Sequence, residues 1–507
     1  MLLKSQSDEL SFIFFKKIIN QNNQFMTETI TKQNKALVVV IATVAATGGL
    51  LFGFDTGVIS GAIPFFQKAF DIPDSWIEII TTAGLVGAVI GAMSSGRIAD
   101  IVGRKKVILT SALIFIVGAI WSGASPGPLM LVFARLFLGL AIGASSFAVP
   151  LYIAEISPTK SRGTLVSMFQ LLITIGIMVS YLSDSAFAVP DGDPAFTSCW
   201  RPMFYVGVIP AIIMFVGMIF LPETPRWLIS KNHEAKCREV LEKVEDPSLV
   251  EEVITKMKFD LETDRQNKVN WTLIFKKWLR VPLIIAIGIM FVQQFTGINT
   301  IIYYSPKIFI MSGFEDAQAA VWASVSVGVV NVAFTILSLF MIDKLGRRKL
   351  YFIGLTGLVV ALIAMGTCFA LQSTLGDSIK WVTIALVWIY IAFFAISLGP
   401  LGWLIISEVF PLSVRGIGSS IGALSNWLFN GVVAFTFFKL VKGLTLPGTG
   451  IVLKGEDLGN PAGAFYLYAL VGILSIIWGY FFIPETKNVT LEKIEEHWRE
   501  GKPARKL

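Results

Sequence analysis

Cysteine, histidine and charged residues are scarce in this chain. Its 507 residues include three cysteines and two histidines. Cys199, Cys237 and Cys368 fall in separate segments, and no pair among them can be proposed as a disulfide. No group of His, Cys and Asp has the spacing of a metal site, and no nucleophile–base set or phosphate-binding loop stands above chance. The sequence therefore favours neither an enzyme nor a metal or organic cofactor.

The low charge defines the class of protein. Asp, Glu, Lys and Arg make up 15% of the residues, whereas 54% are hydrophobic, which predicts an integral membrane protein. Apolar runs of about 20 residues, each long enough to cross a bilayer about 30 Å thick, recur along the chain. About twelve such runs lie near 37–66, 76–97, 107–124, 128–153, 164–187, 203–221, 281–311, 318–342, 350–372, 381–407, 417–441 and 461–483.

The net charge of +7 does not indicate a nucleic-acid partner, because the basic residues are concentrated in alternate loops. They cluster at Arg97–Lys106, at Lys160 and Arg162, in 222–280, at Lys344–Lys349, at Arg415 and at the C-terminus. The positive-inside rule places these loops and both termini in the cytoplasm, with the spans in the lipid bilayer of the cell membrane.

The same patterns divide the chain into five segments. Residues 1–36 are predicted to be a cytoplasmic tail, either an extended start or, alternatively, a short interfacial helix. Two groups of six spans, 37–221 and 281–483, flank a charged segment at 222–280 whose apolar residues have helical spacing. We interpret 222–280 as a helical linker rather than a regulatory domain, and 484–507 as a cytoplasmic tail.

Three short charged motifs occur once in each half and in the same order. Asp100 to Arg104 returns as Asp343 to Arg347, Glu155 to Arg162 as Glu408 to Arg415, and Pro222 to Thr224 as Pro484 to Thr486. This repetition indicates a duplicated membrane protein. Two similar bundles that rock about a site between them are typical of transporters.

The motif set, the twelve spans and the central charged segment resemble the sugar porter family of the major facilitator superfamily. The resemblance covers about residues 37–490, and bacterial proton–monosaccharide symporters for xylose, arabinose, galactose or glucose are the most similar in kind. The second copy of the first motif lacks its leading glycine, because Leu339 stands there. The resemblance implies an all-α membrane fold with twelve helices in two pseudo-symmetric bundles of six.

The charged motifs are predicted to form a cytoplasmic gate between the halves that is closed in the outward-facing state. A network of this kind can bias a two-state equilibrium that differs by a few kcal/mol. The alternative is that the charges only set topology, which explains the basic residues but not the repeated Glu. The predicted gate residues are Asp100, Arg104, Glu155, Arg162, Glu223, Asp343, Arg347, Glu408, Arg415 and Glu485.

Two charges inside the predicted spans are candidates for proton coupling, because charge in a bilayer is costly. Asp55 lies in the first span and Arg135 in the fourth, where they can neutralise one another. They form either a permanent ion pair or a proton site, in which protonation of Asp55 releases Arg135. By resemblance, proton-coupled members carry Asp at this position, whereas facilitative glucose transporters carry an uncharged residue.

Three carboxamides in seven residues, Gln293, Gln294 and Asn299, indicate a polar site in the seventh span. Carboxamides donate and accept hydrogen bonds, as sugar hydroxyls do, so they can bind a neutral polyol without burying charge. Gly297 and Pro306 predict a broken helix of the type that lines transport sites. The alternative is that these amides only join neighbouring helices.

The resemblance adds further substrate-binding candidates: Phe52, Gln170, Asn331, Trp403, Asn426 and Trp427. Tryptophan faces can stack on the apolar faces of a pyranose while polar atoms read its hydroxyls. Phe52 is expected to close the site from the first half, and Asn331 either lines it or only packs. Proton–xylose symporters carry Gln where this chain has Asn426, so the choice between xylose and glucose as the substrate stays open.

These observations predict a monomeric, proton-coupled monosaccharide symporter that works by alternating access and uses the proton as its coupling ion. The first alternative is a facilitative sugar uniporter with the same site. A membrane sugar sensor is less favoured, because only some 20 residues follow Glu485.

Overall fold

The computed structural model describes residues 2–507 except 159–160, 267–273, 275, 412–413, 454–455 and 490. In the described residues, twelve helical segments are long and apolar enough to cross a membrane, which confirms the predicted number of spans. Lys160, one of the predicted basic loop residues, lies outside the described residues.

The first half consists of α1 to α7, of which the last two form one span with a step at Gly207. Their bounds are Leu2–Phe70, Asp74–Val102, Arg104–Ala124, Pro128–Ile156, Arg162–Phe187, Trp200–Val206 and Val208–Phe220. The backbone of α1 is helical from Leu2 onward, so the segment predicted as a tail before residue 37 continues the first span as a helix.

The charged segment after residue 221 contains α8 to α10, at Pro225–Ser230, Glu234–Val244 and Val250–Gln266. These are short helices of the kind predicted for 222–280, although part of that segment lies outside the described residues. A single 3-10 turn at Lys277–Leu279 then leads into the second half.

The second half consists of α11 to α19, with bounds Arg280–Phe295, Ile298–Met311, Ala317–Leu345, Arg347–Ala370, Gln372–Leu375, Ile379–Ile396, Leu398–Val409, Arg415–Gly443 and Ala462–Phe482. Between α18 and α19 two short antiparallel strands pair, β1 at Ile451–Leu453 and β2 at Glu456–Gly459. After the last span, α20 at Leu491–Arg499 returns to the second half, where Trp498 donates a hydrogen bond to the Val409 carbonyl.

Glycines at every fourth position allow α1 to pack directly against α5. A Cβ atom at Gly53 would lie 1.9 Å from the Ile173 carbonyl oxygen, and one at Gly57 would lie 1.8 Å from the Ser180 hydroxyl oxygen. Small residues let helix backbones approach closely in membranes. This contact fixes the depth of the polar residues that α1 carries.

Candidate transport site

The structure brings Asp55 of α1 and Arg135 of α4 together as a buried ion pair, as expected from the sequence. Arg135 Nη2 donates to Asp55 Oδ2 at 2.9 Å, and Nη1 donates to Oδ1. The side chains are 6% and 3% exposed. Two parallel hydrogen bonds between a guanidinium and a carboxylate form a strong, directional contact. The pair neutralises both charges inside the first half.

The predicted carboxamides form one connected chain in the second half. Gln293 Nε2 donates to the carbonyls of Leu398 and Gly399 at 2.8 and 3.2 Å, where α16 gives way to α17. Gln293 Oε1 accepts from Asn426 Nδ2 at 2.6 Å. The seventh span, the tenth span and the eleventh span are therefore joined through Gln293.

The chain continues along the seventh span through a break in the helix. Gln294 Nε2 donates to Gln293 Oε1 at 3.3 Å, and Asn299 Nδ2 donates to Gln294 Oε1 at 2.5 Å. Between them α11 ends and α12 begins, with Gly297 at a φ of 88°. The predicted broken helix is present, and it turns Asn299 back toward Gln294.

A cavity lies between the two halves, beside both the ion pair and the second half. Phe52 of α1 and Trp427 of α18 meet across it with ring centroids 5.1 Å apart. The two halves are therefore in aromatic contact next to the ion pair. The cavity is lined by Phe52, Asp55, Thr56, Thr81, Gly84, Leu85, Ala88, Arg135, Ile142, Tyr303 and Trp427.

Three further candidates are placed less directly. Gln170 of α5 is half-buried, Trp403 of α17 is 40% exposed, and Asn331 of α13 is buried. Gly402, next to Trp403, lies so close to Gln293 that a Cβ there would be 2.8 Å from Gln293 Nε2. Asn331 Oδ1 accepts from Thr335 on its own helix, a contact that fits the packing alternative. Their roles in substrate binding remain predictions.

Tyr303 and Asn430 belong to the site and were missed by the sequence analysis. Asn430 Nδ2 donates to Tyr303 Oη at 3.2 Å, and Tyr303 lines the cavity beside Asp55. Each lies one helical turn after a predicted site residue, Asn299 or Asn426, so helical spacing was the available signal.

The motifs of the first half form one cluster at one end of the bundle. We call this cluster, together with its counterpart in the second half, the motif face. Arg104 Nε lies 3.1 Å from Glu155 Oε2, and the exposed Asp100 is 3.1 Å from Arg104. Glu223 accepts the backbone N–H groups of Arg104 and Lys105 at 3.1 and 3.2 Å, which caps α3. Burial raises the pKa of Glu223 above its ordinary value, opposed by these hydrogen bonds.

The second half repeats this cluster residue by residue. Arg347 Nη2 donates to Glu408 Oε1 at 2.8 Å, and Asp343 lies 3.8 Å from Arg347. Glu485 accepts the backbone N–H groups of Arg347 and Arg348 at 2.9 and 3.1 Å. Each cluster therefore ties together the helices of its own half.

The predicted gate residues Arg162 and Arg415 lie at the same face. Arg162 is exposed, and Arg415 donates to the Phe410 carbonyl of its own half at 3.4 Å. The ten charges were predicted as a network between the halves, but the contacts seen here run within each half. Contacts between the halves at this face would belong to another conformation, which remains a prediction.

The hydrogen bonds and ion pairs that join the halves in the described residues lie at the other end of the bundle, which we call the opposite face. Glu78 of α2 accepts the backbone N–H groups of Phe438 and Lys439 at 3.1 and 3.3 Å, and Lys439 Nζ lies 3.4 Å away. The Glu78 side chain is 2% exposed. Within the second half, the Ala434 carbonyl, one turn before Phe438, accepts from Tyr304 Oη at 2.9 Å.

Further contacts close the same face. Asp74 at the start of α2 lies 3.0 Å from Lys442 Nζ and 3.7 Å from Lys307 Nζ. Tyr181 Oη donates to the Ile302 carbonyl at 2.7 Å. Both faces were predicted to open in turn, and this structure is held shut at the opposite face.

Glu78, Asp74 and Asp184 are acids within the spans that the sequence analysis passed over. All three lie in helices α2 and α5 and are buried. The rule that singled out Asp55, that charge within a span is functional by default, applies to them equally. They lie near span ends, where an acidic side chain is ordinarily expected to contact water. Their burial becomes visible only when the second half is packed against them.

Twelve spans in two pseudo-symmetric halves, with one polar site between them, define a membrane transporter of the major facilitator fold. The model of the family described as "Sugar (and other) transporter" matches residues 41–498, and the chain belongs to this family of transporters, which are not enzymes. It is therefore a multi-pass protein of the cell membrane.

Individual relatives are similar over nearly the whole chain. A galactose–proton symporter of Escherichia coli is 36% identical over 482 residues, which cover 94% of this chain and 97% of that protein. The glucose transporter GlcP of Staphylococcus epidermidis is 37% identical over 475 residues, with 94% and 99% covered. The inward-open conformation of the xylose transporter XylE from E. coli matches with a TM-score of 0.75 at 27% identity, covering 91% and 100% of the chains.

Proposed function

We propose that this chain is a proton-coupled monosaccharide symporter that works by alternating access. The observation that carries the proposal is the single cavity that touches both Asp55–Arg135 and the aromatic residues Tyr303 and Trp427. A proton on Asp55 and a sugar in contact with Tyr303 or Trp427 would share this cavity and could influence each other directly, whereas the carboxamides of the second half lie outside its lining. Relatives named for proton-coupled galactose transport and for glucose transport support the substrate class and the coupling ion.

The sugar binds mainly to the second half in this proposal. The connected carboxamides Gln293, Gln294, Asn299 and Asn426 present donors and acceptors without net charge, which suits the hydroxyls of a neutral sugar. Hydrogen bonds among these amides satisfy their polar groups in the structure, and a sugar would replace part of them. Trp427 supplies an aromatic face for the ring.

The proton binds to Asp55 in this proposal. Protonation removes the charge that holds Arg135, so the guanidinium loses its partner within the first half and must find another. An ion pair that exists in one protonation state and not in the other makes the stable conformation depend on the proton. The sugar contacts Phe52 and Trp427 beside this pair, which links sugar binding to proton binding.

The motif face is cytoplasmic in this proposal, as the positive-inside rule predicts, and both termini lie on that side. The structure is then an inward-facing state, because the contacts between the halves lie at the opposite face. In the outward-facing state the two motif clusters would meet and form the cytoplasmic gate. We further expect the protein to act as a monomer.

Uptake by purified protein in liposomes tests this function. An inward proton gradient is applied, and labelled galactose, glucose, xylose and arabinose are offered singly and in competition. We expect at least one of them to accumulate above its equilibrium level. Asp55→Asn should abolish accumulation and leave sugar exchange between the two sides intact. The fully exposed Asp377 provides a matched control, since Asp377→Asn should accumulate sugar normally.

Accumulation by the Asp55→Asn variant would show that coupling runs through another group. Downhill uptake without accumulation by the unmodified protein would identify a facilitative uniporter. If none of the four sugars is transported in either mode, the substrate class is wrong.

A further inference from the structure

Asp184 of α5 is an acid that the proposed transport cycle does not yet use. Its side chain is 0% exposed, and neither carboxyl oxygen has a hydrogen-bond partner among the described residues. The backbone of α1 approaches so closely that a Cβ atom at Gly61 would lie 2.3 Å from Asp184 Oδ2. The close α1–α5 packing therefore covers the carboxyl group on the side of α1.

The surroundings of Asp184 offer no cation. The helices packed against α5 are α1, α4, α6 and α13, and in the described residues none of them places a charged side chain against this carboxyl. Tyr181, one turn earlier on α5, is the titratable neighbour, and the backbone of Gly61 is the polar group that approaches. Burial in such a place disfavours an ionised carboxylate far more strongly than a neutral acid.

The position of Asp184 connects this burial to the closure of the opposite face. Tyr181 Oη, one turn before it, donates to the Ile302 carbonyl of the second half at 2.7 Å. The Ala188 carbonyl, one turn after it, accepts from Gln318 Nε2 of the second half at 2.7 Å. Asp184 thus lies between two contacts that break when the halves separate at this face.

The facing helix α1 contributes to the same closure. Ser60, next to Gly61, lies 3.3 Å from Ser305 of the second half, oxygen to oxygen. Opening the face would part α1 and α5 from α12 and α13 and admit water beside the carboxyl group. In water the acid would ionise at neutral pH.

We propose that Asp184 is a second proton-binding site, which takes up a proton as the opposite face closes and releases it as that face opens. The ligand is a proton alone, and it forms an O–H bond on a carboxyl oxygen and leaves to water. The inference rests on alternating access as proposed above, and it is separate from the sugar-coupled proton on Asp55. It makes closure of the opposite face more favourable as that side becomes more acidic.

The distance between the halves at the opposite face tests this site. Spin labels at Thr197 and Asp377, both exposed and in different halves, report opening by double electron–electron resonance, with the three buried native cysteines replaced by serine. The background is Asp55→Asn, so that the first proton site is silent. We expect the open population to rise at least tenfold from pH 5 to pH 9.

Asp184→Asn in this background should hold the closed distance across the whole range, because the amide has the shape of the protonated acid. Asp71→Asn is the matched control, since Asp71 is an exposed acid at the same face, and it should leave the pH response unchanged. If Asp184→Asn does not fold, Asp184→Leu replaces it, and folding is checked by a cooperative thermal transition.

The proposal is overturned if the pH response persists in the Asp184 variant. It is also overturned if the Asp55→Asn background itself shows no pH response. The measurement needs no sugar and no transport. The second proton site can therefore fail while sugar accumulation is found, and accumulation can fail while Asp184 responds to pH.

Discussion

The two halves of the molecule agree at the motif face and differ at the centre. Arg104 with Glu155 in the first half and Arg347 with Glu408 in the second make the same ion pair. At the centre, the first half holds the charged pair Asp55–Arg135 and the second half holds uncharged amides around Gln293. The repeated parts hold each bundle together, and in the proposed mechanism the unrepeated parts bind the proton in one half and the sugar in the other.

This difference has an electrostatic reason. A charged pair responds strongly to one proton, because losing the charge on Asp55 leaves Arg135 buried and unpaired. Amides such as Gln293 and Asn426 do not titrate, so their binding of a neutral sugar does not itself vary with pH. In the proposed mechanism, this separation lets the first half respond to the proton while the second half binds the sugar.

Breaking the charged pair should have the largest effect. Arg135→Leu leaves a buried carboxylate without its partner and should destabilise the protein by about 3–5 kcal/mol. The double variant Asp55→Asn/Arg135→Leu should recover at least half of that loss, because no uncompensated charge remains. Thermal unfolding in detergent checks both. Equal stability of the single and double variants would show that the pair is not strongly coupled.

Removing the central amide of the second half should weaken sugar binding without affecting proton coupling. Gln293→Leu loses hydrogen bonds to both the sugar and Asn426, so KM should rise about 10- to 100-fold, or about 1.4–2.7 kcal/mol. The pH dependence of the remaining uptake should match the unmodified protein. Gln372→Leu, at the α14–α15 turn, is the control. An altered pH profile would contradict the division between the halves.

The paired glycines before α3 and α14 test the likeness of the halves. Gly103 and Gly346 have φ values of 106° and 84°, and a Cβ would lie 2.1 Å from Glu223 and 2.5 Å from Glu485. Alanine at either position should cost about 1–3 kcal/mol of stability, to a similar extent in both halves. The control is alanine at the repeated motif glycines 163 and 416, which have open space. A large inequality between the halves would mean that the clusters differ in function.

Removing the charge of Glu78 at the opposite face should have the smallest effect. Glu78→Gln can still accept the N–H groups of Phe438 and Lys439 but loses the charge. We expect the closed state to lose about 1 kcal/mol, a roughly fivefold change in the open population. Distance measurements at pH 5 check this, where Asp184 would be protonated throughout. An unchanged population would show that the carboxylate charge does not hold this face.

The sequence was sufficient for the features that depend on short segments. The apolar runs predicted the spans, and Gly297 together with three nearby amides predicted the broken helix that lies at the site. The repeats predicted the members of the motif clusters. Each of these features depends on residues that are close in sequence or repeated, so one chain is enough to find them.

Features that depend on which face is closed could not be predicted. Glu78 meets the backbone of α18, some 360 residues away, through N–H groups that leave no signature in the sequence. The motif clusters were expected to bridge the halves, and instead they bind within each half in this state. Asp184 is buried between Gly61 of α1 and the contacts that Tyr181 and the Ala188 carbonyl make with the second half, and neither surrounding is visible in the sequence.

The glutamates that cap α3 and α14 also determine where each bundle ends along the chain. Glu223 and Glu485 come just after the sixth and the twelfth span, and each fastens that span to the start of the third span of its own half. The functional boundary of a half therefore lies a few residues beyond its last hydrophobic residue. A protein shortened after Ile483 would keep all twelve spans and still lose the fastening of its second half alone.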